Sequence, residues 1–231
     1  MRGATRRSVG VSPDRAAAGY RFRVTARLVA IVVLALGPGC RFLRGDWANR
    51  SGTCFYVSRS GIVLTSLHVV HDARRVWVID QSGVRSTAEV IRVDPEVDLA
   101  ALQVYSAHTT TFLPIAADDA ALGDRVYTID PSSWRRDAGL VVGQRGLGSA
   151  DLLSTTTHAV RGSSGGPLVN ASGEVIGLLV RLNRTDKVAF AVKASAIRRT
   201  IHDLPPPARA APDRARAIER TRGAVCSLWV H

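Results

Sequence analysis

The sequence predicts an all-β fold for a single domain over residues 51–204. Short runs of β-branched and apolar residues alternate there with Gly, Asp, Asn and Ser, which is the pattern of an antiparallel β protein. A chain of 231 residues is long enough to bury a sizeable core within one domain. A short amphipathic helix over 194–202 ends the domain, because three prolines follow from Pro205 onward.

A series of segments has the length and composition of strands, separated by turn residues. They are 54–58, 62–66, 75–80, 85–94, 99–104, 126–129, 140–144, 152–156, 167–170, 175–180 and 189–192. Residues 70–73 predict a short helical turn. Residues 170–173, Asn-Ala-Ser-Gly, predict a tight hairpin turn that pairs the strand at 167–170 with the strand at 175–180.

The net charge of the chain lies in its two ends. Lys and Arg number 31 against 19 Asp and Glu, a formal net charge of +12, which on its own suggests a nucleic-acid ligand. Residues 1–44 hold nine arginines and one aspartate, and residues 205–231 hold five arginines and two acidic residues. The other 17 basic and 16 acidic side chains leave residues 45–204 nearly neutral. We therefore expect no nucleic-acid binding by the folded domain.

Residues 1–50 predict a basic amino-terminal tail that contains a targeting segment. Seven arginines precede an apolar run over 28–36, which is too short to cross a bilayer but suits the hydrophobic part of a signal peptide. The small residues before Cys40 resemble a lipoprotein processing site. We therefore predict a signal-peptide-like or lipoprotein-like segment over 28–40, a membrane or lipid anchor, and an extracytoplasmic location in the periplasm or cell envelope. The alternative is a cytoplasmic chain whose true start lies near residue 20.

A glycine-rich loop at 162–167, Gly-Ser-Ser-Gly-Gly-Pro, suggests a nucleophilic serine. A serine hydroxyl is a weak nucleophile, so a serine enzyme needs a neighbouring base and N–H donors for the developing oxyanion. Glycines adopt positive φ readily and turn backbone N–H groups inward. A plain turn between strands has the same composition, so the assignment depends on a histidine and a carboxylate upstream.

A histidine and an aspartate stand upstream in suitable surroundings. His68 follows the apolar run of GIVLTSLHVV, and Asp98 precedes the apolar run of DPEVDLAAL. The order His, Asp, Ser is that of the chymotrypsin arrangement and differs from the orders in subtilisin and in α/β-hydrolases. The neighbours His71 and Asp94 fit less well, because His71 falls in the predicted helical turn and Asp94 with the proline after it is typical of a turn cap.

Four blocks of sequence resemble the HtrA (Do-like) branch of the chymotrypsin-fold serine proteases. They are GIVLTSLHVV, DPEVDLAAL, GSSGGPLVNASGEVIGLLV and VAFAVKASAIRRTI, in this order over about residues 51–204. The resemblance implies two packed six-stranded antiparallel β-barrels with a short C-terminal helix, and a catalytic triad in the cleft between the barrels. His68 and Asp98 would come from the first barrel and the nucleophile Ser164 from the second.

The resemblance also implies a role for each residue of the site. His68 is the base, Asp98 orients it, and the backbone N–H groups of Gly162 and Ser164 form the oxyanion hole, whereas Ser163 is a bystander. The substrate pocket is formed by residues just before the nucleophile and by strand 177–180, namely His158, Ala159, Val160, Arg161, Leu178, Leu179 and Val180. No carboxylate occurs among them. We therefore expect an apolar pocket of small or medium size with His158 near its floor, and no preference for Lys or Arg.

The sequence thus predicts a serine-type endopeptidase that hydrolyses polypeptides through an acyl-enzyme, in protein quality control or processing. No Cys/His cluster or carboxylate array has metal-ligand spacing, so we expect no metal and no cofactor. We expect no PDZ domain after the protease domain, and a homo-oligomer is compatible with the sequence. The alternatives are a catalytically silent regulatory or binding module on the same barrels, and a fragment of a larger tandem protease.

Residues 205–231 leave two alternatives open. A Pro/Ala/Arg-rich stretch is followed from Arg214 by a segment that resembles the opening segment of the family's protease domain. The segment is either the start of a second protease copy, which we favour, or a strand that folds back to complete the first barrel and brings Cys226 near Cys54. The cysteines at 40, 54 and 226 are an odd set that indicates no disulfide framework, and we expect Cys54 to be a free buried thiol.

Overall fold

The computed structural model of the chain describes residues 50–105, 111–130, 135–147, 150–183, 185, 187–202 and 214–231. The predicted targeting segment 28–40 lies outside the described residues. The strands and helices follow the order β1 (Arg50–Tyr56), β2 (Ile62–Ser66), α1 (Leu67–Val70), β3 (Val76–Ile79), β4 (Arg85–Asp94), β5 (Leu99–Gln103), β6 (Arg125–Asp130), β7 (Arg135–Leu147), β8 (Ala150–Thr155), β9 (Pro167–Val169), β10 (Val175–Asn183), β11 (Val188–Lys193), α2 (Ala194–Thr200), α3 (Arg214–Ala224) and β12 (Val225–Val230).

The strands close into two six-stranded antiparallel barrels, which confirms the predicted fold class. The first barrel has the strand order β1-β12-β3-β4-β5-β2, and the second has the order β10-β11-β8-β7-β6-β9. Closing a sheet on itself removes the free edges at which unpaired backbone groups recruit other chains. Helix α2 lies within the range 194–202 that the sequence predicts for the helix. In the part of the chain that the structure describes, no helix is long and apolar enough to span a bilayer.

Strand β1 shows how alternate side chains divide between two cores. Cys54 and Tyr56 belong to the apolar cluster inside the first barrel. Phe55, between them, belongs to the larger cluster that continues into the second barrel. This division follows from the alternation of side chains along a strand. Burial, together with the carboxylate of Asp80, raises the pKa of Tyr56 to about 12, so this phenol stays neutral inside the barrel. Strand β1 therefore lies between the barrels, where it reaches residues of the second.

The C-terminal strand β12 lies within the first barrel, between β1 and β3. It runs antiparallel to both, with Cys226 opposite Cys54 and Trp229 opposite Trp77. The two cysteines form a disulfide across 172 positions of sequence. The strand therefore folds back and completes the first barrel, which is the second of the two alternatives for residues 205–231. The alternative that we favoured, the start of a second protease copy, is not what the structure shows for this strand. The expectation of a free thiol at Cys54 is wrong, because the residue that pairs with it comes from the far end of the chain.

Helix α3, which precedes β12, packs on the second barrel. A Cβ atom on Gly173, in the turn between β9 and β10, would lie 3.0 Å from the Cβ of Ala217 in α3. Ala217 and Thr221 also line a small cavity together with Tyr127 and Asn170 of the second barrel. The C-terminal segment therefore contacts the second barrel with its helix and completes the first with its strand.

Candidate active site

The pairing of β2 with β5 brings His68 and Asp98 together. Ser66, the last residue of β2, lies opposite Leu99, the first residue of β5. His68 follows one strand by two residues and Asp98 precedes the other by one, so they meet at the same end of an antiparallel pair. The N–H of Leu67 donates to the Asp98 carbonyl oxygen over 3.0 Å and fixes the two segments to each other.

The Asp98 carboxylate contacts His68 at two points. Its Oδ1 accepts the backbone N–H of His68 at 2.8 Å, and its Oδ2 lies 2.6 Å from Nδ1 of the ring. A carboxylate at Nδ1 favours the tautomer that carries its proton there and leaves the lone pair on Nε2. The imidazole is half exposed, with 49% of its side-chain surface accessible. The pair is therefore arranged to accept a proton at Nε2 from a group in the cleft.

The two residues that the sequence analysis set aside have other partners. The Asp94 carboxylate accepts the N–H of Glu96 at 3.1 Å and the hydroxyl of Thr200 at 2.7 Å, so it caps a turn. The ring of His71 lies 2.7 Å from the carboxylate of its neighbour Asp72. Neither residue contributes a hydrogen bond to the pair of His68 and Asp98 among the contacts described above. The structure is thus consistent with the preference for His68 and Asp98.

The loop that carries Ser164 is held between the two barrels by backbone hydrogen bonds. The Ser164 carbonyl oxygen accepts the N–H of Thr53 in β1 at 2.9 Å, and the N–H of Gly165 donates to Leu179 in β10 at 2.7 Å. Gly165 has φ of +85°, and a Cβ there would lie 2.2 Å from both the Thr53 carbonyl oxygen and the Thr65 hydroxyl oxygen. Only glycine fits this position, which explains the glycine after the predicted nucleophile.

The turn before Ser164 is fixed by two side chains, those of Thr53 and Ser163, whose contacts the sequence did not predict. Gly162 has φ of +95°, and its carbonyl oxygen accepts the hydroxyl of Thr53 at 2.6 Å. Ser163 is 8% exposed, and its Oγ accepts the N–H of Val160 at 3.0 Å while its own N–H donates to the Val160 carbonyl oxygen at 3.1 Å. Ser163, which we expect to be a bystander in the chemistry, thus has a structural role, because it closes the turn that presents Gly162. The hydroxyl group at the variable position of the motif, which can accept a backbone N–H, is the feature of the sequence that could have indicated this role.

Gly52 joins the histidine side of the cleft to the serine side. A Cβ on this residue would lie 2.6 Å from the side chain of Val69, next to His68, and 3.3 Å from the Ser164 carbonyl oxygen. The missing Cβ thus allows helix α1 and the nucleophile loop to approach the same point of β1. A cavity of about 590 Å³ opens beside them, lined by His68 and Asp98 from the first barrel and by Leu152, Val180 and Arg181 from the second.

A second cavity, of about 550 Å³, begins directly before the nucleophile loop. It is lined by Thr156, Thr157, His158, Ala159, Val160, Arg161, Leu182 and Lys187. The four pocket residues predicted directly before the nucleophile, 158–161, all line this cavity. Leu178 and Leu179, at 0% and 2% exposure, lie in the core instead, and Val180 lines the cavity beside His68. The two leucines therefore form no open apolar wall at this cavity, because both are packed in the core, and the register of β10 shifts between Leu179 and Arg181.

The arrangement can therefore support nucleophilic chemistry at a serine. It provides a histidine whose tautomer is set by a carboxylate, a serine on a glycine-rich turn, and two cavities, one beside the histidine and one directly before the turn. Among the described residues, no cluster of three or more His, Cys, Asp or Glu side chains has the geometry to hold a metal ion.

Comparison with protein families gives a match to the model described as "Trypsin-like peptidase domain" over residues 52–178. Serine protease HTRA4 of Mus musculus is 32% identical over 207 residues, which cover 79% of this chain and 42% of that protein. Serine protease HTRA2, mitochondrial, of Bos taurus is 32% identical over 164 residues, or 66% of this chain and 36% of that protein. A probable periplasmic serine endoprotease DegP-like of Chlamydia trachomatis is 33% identical over 55% of this chain and 27% of that protein. The chain thus spans less than half the length of these relatives.

Solved structures share the fold. The active form of the Rv3671c protease from M. tuberculosis aligns with a TM-score of 0.60 and 24% identity over 69% of this chain and 77% of that one. The HtrA-type protease AlgW with a decapeptide aligns with a TM-score of 0.59 and 23% identity over 66% of this chain and 51% of that one. A serine endoprotease from Yersinia pestis aligns with a TM-score of 0.57 and 26% identity over 66% of this chain and 56% of that one.

Proposed function

The chain belongs to the trypsin-like peptidase family, and on this premise we propose that it is a serine endopeptidase that cleaves polypeptides through an acyl-enzyme. The observation that carries the proposal is the double contact of Asp98 with His68, in which one carboxylate oxygen accepts the backbone N–H and the other lies against Nδ1. An ion pair that only stabilises the fold would not need a serine on a glycine-rich turn beside it. The loop that carries Ser164 and the helix that carries His68 approach the same point, since a Cβ on Gly52 would lie 2.6 Å from Val69 and 3.3 Å from the Ser164 carbonyl oxygen. This proximity supports a triad.

In the proposed acylation, Ser164 Oγ attacks the carbonyl carbon of the scissile peptide while Nε2 of His68 takes the hydroxyl proton. The carbonyl π electrons move to oxygen, and the N–H groups of Gly162 and Ser164 stabilise that oxyanion. The C–N bond then breaks, and the imidazolium gives its proton to the leaving amine. Asp98 holds the ring in the productive tautomer and stabilises its positive charge.

In the proposed deacylation, a water molecule takes the place of the amine. His68 removes a proton from the water, whose oxygen attacks the acyl carbon, and the same oxyanion donors stabilise the second tetrahedral intermediate. The bond to Ser164 Oγ breaks, and the imidazolium returns the proton to the serine. The enzyme is restored, and the substrate has become an acid and an amine.

A fluorophosphonate probe tests the proposed nucleophile directly. We expect the Ser164 hydroxyl oxygen to displace fluoride from the phosphorus atom of the probe. The full chain then carries one phosphonyl group, which mass spectrometry of the digest will locate on Ser164. The His68→Ala and Ser164→Ala variants should remain unlabelled, since the first lacks the base and the second the nucleophile. A folded wild-type chain that is not labelled would instead favour a catalytically silent module.

The proposed place of action is outside the cytoplasm, in protein quality control or processing. A disulfide between Cys54 and Cys226 supports an oxidising compartment, because such bonds persist outside the cytosol. The relative from Chlamydia trachomatis is described as periplasmic. Export through the segment 28–40, with a membrane anchor there, is the route that the amino-terminal sequence favours.

Thr53→Val is expected to lower kcat/KM about tenfold, since the loss of one buried hydrogen bond near a catalytic turn costs roughly 1 to 1.5 kcal/mol. Valine keeps the volume of threonine but has no hydroxyl to hold the Gly162 carbonyl, which Thr53 binds at 2.6 Å. Steady-state kinetics on a peptide substrate measure the effect, and Thr53→Ser is the matched control because it keeps the hydroxyl. Equal losses in the two variants would show that packing, and not the hydrogen bond, is responsible.

A further inference from the structure

The cavity before the nucleophile loop is lined by basic side chains. His158, Arg161 and Lys187 are among its lining residues, and all three are exposed. Arginine and lysine side chains carry a positive charge at neutral pH, and an imidazole offers a further hydrogen-bond donor. No carboxylate is among the described residues that line the cavity. Clefts that hold charges of one sign concentrate ligands of the opposite sign.

The position of Arg161 indicates which part of a substrate reaches this cavity. Arg161 directly precedes Gly162, and Gly162 belongs to the turn proposed to bind the oxyanion. A peptide whose carbonyl oxygen lies at that turn extends the side chain of the same residue into the adjoining space. The cavity, of about 550 Å³, has room for a side chain of any ordinary size. Its charge, rather than its volume, therefore decides what it accepts.

Lys187 has a backbone conformation that disfavours any side chain. Its φ is +52°, in the left-handed region, where a residue with a Cβ costs roughly 1 kcal/mol or more relative to glycine. A glycine directly before β11 would avoid this cost. Among the described residues, no carboxylate forms an ion pair with its amine. The strained backbone holds a charged side chain at the rim of the cavity, and strain of this kind concentrates at sites that bind ligands.

One described carboxylate, that of Asp137, contacts the cavity-lining segment without lining the cavity itself. Asp137 in β7 accepts the backbone N–H of His158 through its Oδ2. This contact ties the cavity-lining segment to the second barrel, and Asp137 is not among the lining residues. Thr156 Oγ1 accepts the N–H of Leu140 at 3.0 Å, so its hydroxyl proton remains to be donated. The Thr156 hydroxyl therefore adds a hydrogen-bond donor to the basic side chains among the lining residues.

We propose that this cavity binds an acidic side chain, glutamate or aspartate, of the substrate residue whose carbonyl group Ser164 attacks. Lys187 is the specificity-determining residue, with Arg161 and the imidazole of His158 as further donors. This inference rests on the proposed function, because it assigns the substrate class of that site. It replaces the apolar pocket that the sequence predicted.

The test compares peptides that differ at one residue, Glu, Gln, Leu or Lys, before the scissile bond. Wild-type hydrolysis should favour Glu over Gln about two- to fivefold in kcat/KM, as expected for a charge pair at a partly open site. The preference should decrease as the salt concentration rises, because exposed charges are screened. Lys187→Gln and Lys187→Gly should both lose it, and Lys187→Gly also removes the backbone strain. Arg85→Gln, an exposed cation of β4 in the first barrel that does not line the cavity, should keep it.

A binding measurement separates this inference from the proposed activity. The Ser164→Ala variant, which hydrolyses nothing by the proposed route, is titrated with the Glu, Gln, Leu and Lys peptides in a calorimeter. Tighter binding of the Glu peptide, lost in Ser164→Ala/Lys187→Gln, supports the acidic pocket even if the wild type proves inactive. Equal binding of Glu and Gln, or a preference for Leu or Lys, overturns it even if the wild type is an active peptidase.

Discussion

Asp98→Asn is expected to lower kcat by about four orders of magnitude, the loss that this change causes in other Ser-His-Asp sites, with little change in KM. The Asp98 Oδ1 atom accepts the backbone N–H of His68, and an amide oxygen can keep that bond. The amide nitrogen then faces Nδ1, where it donates instead of accepting. The ring proton moves to Nε2, and the base loses the lone pair that takes the Ser164 proton.

Asparagine also leaves the backbone undisturbed. Asp98 has φ of +56°, and asparagine is one of the few residues that tolerate this left-handed conformation. A fall in kcat is therefore not a consequence of a distorted turn, as it would be for Asp98→Ala or Asp98→Val. The melting temperature of the variant should stay within a few degrees of the wild-type value.

Asp94→Asn is the matched control for this experiment. Asp94 lies four residues earlier, and its carboxylate accepts a backbone N–H and the hydroxyl of Thr200. We expect this variant to change stability slightly and kcat by less than about twofold, because it does not touch His68. An Asp98→Asn variant as active as Asp94→Asn would contradict the assignment of Asp98 and, with it, the proposed triad.

The sequence was sufficient to predict the catalytic candidates because local patterns position each of them. His68 follows a fully buried strand, and Asp98 precedes the strand that pairs with it, so two apolar runs with polar ends already place the two side chains together. Gly162 and Gly165 beside Ser164 both have positive φ, and at Gly165 the backbone of β1 also leaves no room for a Cβ. The two-barrel architecture came from the resemblance of the four blocks, and the structure confirms it.

What the sequence did not predict depends on contacts between distant segments. Thr53 holds the carbonyl oxygen of Gly162 across 109 positions of sequence, and no periodicity in β1 marks that threonine. The sequence predicted Leu178 and Leu179 as pocket residues together with Val180. The register shift between Leu179 and Arg181, which separates Val180 from the two leucines, arises from the pairing of β10 with β11 and is not visible in the sequence of β10 alone. Lys187 lies in a connection whose path is set by β10 and β11. Side-chain type alone could not place it beside Arg161.

The disulfide between β1 and the C-terminal strand β12 should contribute strongly to the stability of the chain. Replacing both Cys54 and Cys226 by alanine should lower the free energy of unfolding by about 3 to 5 kcal/mol, because the disulfide closes a loop of more than a hundred residues in the unfolded chain. For a domain of this size the melting temperature should fall by roughly 10 °C. Both cysteines are fully buried between the paired strands β1 and β12, so packing is lost as well.

Differential scanning calorimetry with and without a thiol reductant measures this effect. Reductant should lower the melting temperature of the wild-type chain toward that of the Cys54→Ala/Cys226→Ala variant and leave the variant itself unchanged. A truncation that removes residues 214–231 should be destabilised further, because it exposes the facing edges of β1 and β3. If the truncated chain melts at the wild-type temperature, β12 does not belong to the first barrel of this chain.

The loss of the disulfide should also lower activity below the melting temperature, since the bond lies next to the residue that holds the nucleophile loop. Thr53 precedes Cys54, and its N–H and hydroxyl bind the carbonyl oxygens of Ser164 and Gly162. When β12 opens locally, β1 loses one of its two neighbouring strands, and the turn that presents Gly162 loses its support. We therefore expect reductant to reduce kcat more than KM at 25 °C. Alkylation of intact cells should find both thiols protected if the chain is exported, and free thiols would place it in a reducing compartment.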